Sequence, residues 1–148
     1  MKKLTFHITI DAPREKVWNT LWDDTTYRIW TVPFNPSSRA ETDWQKGSKV
    51  LFLGDTDEGM LSTIADNIPN QFMSIKHLGV VNKGGIEDMT SAHAQQWHGA
   101  MENYTLKTVD GKTTLDVETD TTEEFYDYFQ ETWPKAMDKI KELSEQQN

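Results

Sequence analysis

The stretch TTEEFYDYFQETWPKAMDKIKEL, residues 121–143, decides the fold. Phe125, Phe129, Trp133, Met137 and Ile140 recur at the spacing of one helical face, and Leu143 continues the stripe. Thr121 and Glu124 stand at the spacing of a capping box, so the helix is expected to start there. Pro134 sits inside, but the apolar phase runs through it unbroken, so a kink is expected rather than a break. Lys135, Lys139 and Lys141 fall toward the C-terminal end, where cations suit the helix dipole. A helix with this much aromatic surface on one face needs another layer to cover it.

That layer lies upstream. Leu4, Phe6, Ile8 and Ile10 alternate with Thr5, His7 and Thr9, the period of a half-buried strand. Asp11-Ala12-Pro13 ends it, and Pro13 suits the first turn of a helix. Val17, Trp18, Leu21 and Trp22 share one helical face, and both tryptophans are assigned to the core. Thr25 to Thr31 is expected to form a second short helix carrying Tyr27 and Trp30. Residues 32–47 read as a loop. Strands follow at Lys49–Gly54, Met60–Ile68, Gln71–Gly79, Ala100–Val109 and Lys112–Asp120. Asp110-Gly111 between the last two is a strong hairpin signal. The segment Val80 to His98 reads as a connection with a helical turn near Ser91, acting as a lid or packing on the sheet edge.

This order gives an α+β chain with two short helices after the first strand. A curved antiparallel sheet of about six strands wraps the long C-terminal helix. A bent sheet cannot touch a straight helix along its whole length, so a cavity is expected between them. No domain boundary or internal repeat interrupts residues 1–148, read as a single domain.

Aromatics make up 11% of the 148 residues, including six Trp, which argues for a packed interior. The net charge of −9 repels phosphate backbones, so nucleic acid and membrane surfaces are not expected partners. The chain has no Cys, and its N-terminus lacks a continuous apolar run of the signal-peptide kind. A cytoplasmic location is the expectation.

Ala12-Pro13-x-x-Val17-Trp18, Trp30, Asp43-Trp44-x-x-Gly47, Gly59 and Trp133-x-x-x-Met137-x-x-Ile140-Lys141-x-Leu143 occur in an order that resembles the START-like (SRPBCC, Bet v 1-like) superfamily. The resemblance covers nearly the whole chain. It is nearest to homologues of the heat-shock-protein-90 ATPase activator C-terminal domain. It implies a helix-grip fold with an apolar ligand cavity, in a lone domain without the N-terminal domain that the activators use on their chaperone.

Strand parity sharpens the site. Tyr104 and Leu106 face the core, which carries Glu102 inward; Met73, Ile75 and His77 share the inward face of the neighbouring strand. His77 and Glu102 are therefore expected close together at the cavity wall. A carboxylate there needs a partner, and His77 or Tyr104 can supply it. The pair is either a polar anchor for a ligand, a general acid–base pair, or a satisfied structural contact. Trp30, Phe34, Phe52, Trp97, Tyr104, Phe125, Phe129 and Trp133 are the expected aromatic lining.

No metal or cofactor is expected. His93 and His98 are five apart rather than four, and Asp55-x-Asp57-x-Gly59 reads better as a polar turn than as a calcium loop. No Gly-rich phosphate loop or nucleophile elbow is present. The expected function is binding of a small hydrophobic or amphipathic molecule, without catalysis. The alternatives are a small cyclase- or hydrolase-type enzyme using Glu102 and His77, or a stress-related interaction module with a protein partner.

Overall fold

The alternating segment at the N-terminus forms β1 (Lys2–Ile10), and Pro13 caps the helix after it, α1 (Arg14–Trp22). These and the elements below come from a computed structural model, which describes residues 1–146. Asp23 ends α1 and caps α2 (Asp24–Trp30) in an extended conformation, so the two helices meet at a corner. The sheet continues with β2 (Arg39–Glu41), β3 (Lys49–Leu53), β4 (Gly59–Ile68), β5 (Phe72–Asn82) and β6 (Ile86–Asp88). A short helix, α3 (Ala92–Gln95), leads to β7 (Met101–Val109) and β8 (Lys112–Thr121). A 3-10 turn at Glu123–Phe125 precedes the terminal helix α4 (Tyr126–Glu145).

All pairings are antiparallel, in the order β1-β8-β7-β5-β4-β3-β2, with β6 added beside β5. This is the α+β helix-grip architecture, a curved sheet closed around α4. It has eight strands among the described residues, where the sequence suggested about six. The two added strands are three residues long and lie in segments read as connections. Three residues are too few for alternation to register, so pairing partners decide them.

Other expectations also shift. The capping box does not form: α4 begins at Tyr126, and the buried Thr121 hydroxyl donates to Thr122 O. Pro134 lies within a continuous helix. Trp22 is buried, but Trp18 is only partly buried against the core. The 80–98 connection is not structureless, because β5 runs on to Asn82 and turns through Gly84 and Gly85 into β6. Ser91 then caps α3 by accepting from Ala94 N (3.1 Å). The segment packs as the short-helix alternative expected: Trp97 is buried against Val80, Ala94 and Ala100.

The main core lies between the sheet and the helices. From α4 it takes Trp133, Ala136, Met137 and Ile140, and from α1 Val17, Leu21 and Trp22. The Phe6 and Trp133 rings stack at 5.8 Å, fixing α4 across β1. The β7–β8 hairpin turns at Asp110 and Gly111, both with positive φ (52° and 78°), as a type I′ turn requires. At Gly59 the chain passes so close to β3 that a Cβ would stand 1.6 Å from Phe52 O. Only glycine fits there. Among the described residues, no helix is long and apolar enough to cross a membrane.

Candidate functional site

The sheet, α2 and the first half of α4 enclose a cavity of about 370 Å³, partly open to solvent. Its walls contain every aromatic residue expected from the sequence. Trp30, Trp97, Tyr104 and Trp133 are buried, and Phe34, Phe52, Phe125 and Phe129 are partly buried. Most of these rings are therefore core and wall at once: Trp133 packs on Phe6 and also lies 5.0 Å, centroid to centroid, from Phe34. Tyr128 closes part of the rim, where its hydroxyl donates to Phe34 O (3.0 Å) and ties α4 to the segment after α2.

His77 and Glu102 come together as parity requires. The Ile75↔Glu102 register places the two strands side by side, and His77 Nε2 lies 3.3 Å from Glu102 Oε1. The Tyr104 hydroxyl donates to the other oxygen, Oε2. On its far side, His77 Nδ1 lies 2.6 Å from Ser62 Oγ. The result is a continuous chain, Ser62–His77–Glu102–Tyr104, in which the last three line the cavity. The proton positions follow from chemistry. A carboxylate only accepts, so Nε2 carries a proton; in the neutral ring Nδ1 then accepts from the Ser62 hydroxyl.

Burial pushes the Tyr104 phenol well above its ordinary value, and the nearby Glu102 charge and its hydrogen bond add to this. Tyr27, also on the wall, is raised by burial first and by the Glu102 charge second. Both phenols are thus held as neutral hydroxyls.

Ser62 is the residue that reading by sequence missed. It shares the parity of Met60 and Ile64, so a small polar residue at an inward position was the available signal. Its role depends on a bulge. Pairing steps from Leu61↔Gly79 to Ser62↔His77 and leaves Leu78 unpaired. Beyond Leu78 the inward parity of β5 flips, which turns Val80 and Asn82 to the cavity.

Ser62, His77 and Glu102 have the composition of a hydrolytic triad, but the order of access is wrong for one. Ser62 is fully buried behind His77 and does not reach the cavity, so its oxygen cannot meet a substrate. What the wall offers is a positioned carboxylate with acceptor capacity left over, set among aromatic rings.

His93 also lines the cavity, whereas His98 lies outside it with its ring nitrogen 3.1 Å from Leu78 O. His7 is exposed on β1 and pairs with Asp116 (2.6 Å). Among the described residues, no group of three or more His, Asp or Glu side chains converges as a metal site.

No protein-family model and no curated protein sequence matches this chain. Solved structures do. Protein MLL2253 from Mesorhizobium loti is 15% identical and superposes with a TM-score of 0.74, each chain covering 96% of the other. The Aha1 dimer from Colwellia psychrerythraea is 18% identical with a TM-score of 0.71, over 98% of this chain and 97% of that one. CalU16 from Micromonospora echinospora is 17% identical with a TM-score of 0.67, over 97% of this chain and 76% of that one. At such identities the likeness is one of fold, and it is the Bet v 1-like fold that the sequence motifs resemble.

Proposed function

From the Bet v 1-like fold shared with those proteins, we propose that this chain binds a small hydrophobic or amphipathic molecule in the cavity between sheet and α4. The observation that carries this reading is the wall itself: an aromatic enclosure with one positioned carboxylate, Glu102, held by His77 and Tyr104. Small-molecule sites have this character, mostly apolar surface with few oriented polar groups, in volumes of about 300–1,000 Å³. Ser62 and the bulge at Leu78 serve the same end, since they aim His77 and so orient Glu102.

The test is native mass spectrometry of protein purified from its own host, with a cavity-filling variant, Val80→Trp, alongside. The expected result is a one-to-one complex with an apolar or amphipathic molecule that is missing from the folded variant. A wild-type protein that stays empty and takes up no added amphiphile refutes the reading.

A second reading, general acid–base chemistry at the same wall, is supported by the 3.3 Å contact between His77 Nε2 and Glu102 Oε1. Here Glu102 exchanges a proton with the bound molecule while His77 and Tyr104 steady its charge. Conversion of the co-purified molecule by wild type, lost in Glu102→Gln with binding retained, distinguishes this from binding alone.

A further inference from the structure

An amphipathic ligand of the kind proposed above carries a head group, and the charges and hydrogen-bond valences of the wall constrain it. We infer that the cavity is built for a cationic amphiphile, an apolar body bearing a protonated amine seated on Glu102. This rests on the binding reading and goes beyond it by naming the chemical class.

Several donors on this wall are already committed. Trp30 Nε1 donates to Leu21 O (3.1 Å), Thr31 Oγ1 to Tyr27 O (2.6 Å), and the Tyr104 hydroxyl to Glu102. His77 spends both ring nitrogens, on Ser62 and on Glu102. The acceptors are not committed. Each Glu102 oxygen receives one hydrogen bond and keeps a further lone pair. A ligand carboxylate or phosphate would find neutral donors such as the Tyr27 and Ser38 hydroxyls, but no lysine or arginine, and the like charge of Glu102 beside it. An ammonium would find what Glu102 lacks.

Three further features point the same way. Asp120 and Glu58 also line the cavity, and among the described residues its lining includes no lysine or arginine. The surrounding rings, Trp30, Phe52, Tyr27 and Trp133 among them, present electron-rich faces that attract a cation when water is excluded. The net charge of −9 favours the approach of a cation from solution.

The test uses three probes of one shape, octylamine, octanol and octanoate, titrated calorimetrically at neutral pH and low salt. Octylamine is expected to bind at least about tenfold more tightly than octanol, the worth of one hydrogen bond to a charged group, with octanoate the weakest. In Glu102→Gln the preference for amine over alcohol should collapse toward unity. If octanol binds as well as octylamine, or octanoate binds best, the cationic assignment is overturned while the binding cavity stands. If none of the three binds, both fall. The ranking on wild-type protein decides the matter even if the variant does not fold.

Discussion

Ser62→Ala tests the polar chain at its hidden end. The hydroxyl is fully buried and lies 2.6 Å from His77 Nδ1. Alanine removes one oxygen and leaves a small void, so the lost volume matters little. What matters is the imidazole nitrogen left without a partner in a dry place. A buried polar group stranded in this way costs about 1–3 kcal/mol. The ring cannot escape by changing tautomer, because moving the proton to Nδ1 would turn the Nε2 lone pair against the Glu102 carboxylate. For a chain of this length each kcal/mol lowers the melting temperature by about 2–4 °C, so a loss of about 2–12 °C is expected. Urea denaturation gives the free energy directly. Nitrogen NMR of His77 should show the proton on Nε2 in wild type. A loss below about 0.5 kcal/mol, the usual size of a neutral surface change, would refute the reasoning, as would a proton found on Nδ1 of the neutral ring. A serine-reactive fluorophosphonate should not label the native protein, since Ser62 has no path to the cavity.

Three other outcomes follow from separate features. Gly59→Ala would put a methyl group 1.6 Å from Phe52 O, which is backbone and cannot swing aside; urea denaturation should show a loss of about 3 kcal/mol or more, and a neutral result would mean β3 and β4 are spaced differently. Trp133→Ala removes a buried ring that packs on Phe6, Trp30, Phe34 and Tyr104, and should cost about 3–5 kcal/mol by the same measurement. Asp88 receives hydrogen bonds from the Ser91 hydroxyl and from the amides of Ser91 and Thr90, which hold its carboxyl well below the usual carboxylate range. Because the folded-state value is the lower one, its contribution is present above the unfolded value of about 3.9 and is lost as pH falls through the folded value. A carbon NMR titration should place the Asp88 midpoint below that of a model peptide; a midpoint at or above about 3.9 would contradict the hydrogen bonds that Ser91 and Thr90 give to Asp88.

Much of the site was legible because parity along a strand is a local property. Once Tyr104 is inside, Glu102 follows, and once Met73 and Ile75 are inside, His77 follows. That argument by itself brings the polar residues of two strands to one wall. It failed where local rules are overridden. In Lys76-His77-Leu78-Gly79 the only local sign of the bulge is Gly79, a glycine inside a strand, where Asp88 O also comes within 2.3 Å of where a Cβ would stand. The short strands β2 and β6 carry too few residues to show a period, and the Thr121–Glu124 pattern met a strand end and a 3-10 turn instead of a helix start.

The amino-acid order alone determined the layers. Period-two runs must lie in a sheet, the aromatic stripe of residues 125–143 must lie on a helix, and each has to cover the other's apolar face. Tertiary structure alone decided how much of the space between them stays open, that Ser62 stands behind His77 rather than before it, and that His77 and Tyr104 spend their donors while Glu102 still accepts. The division has a physical cause. Which face a residue takes depends on its neighbours in the chain, whereas hydrogen-bond satisfaction and empty volume depend on groups that meet only when distant strands and helices close together.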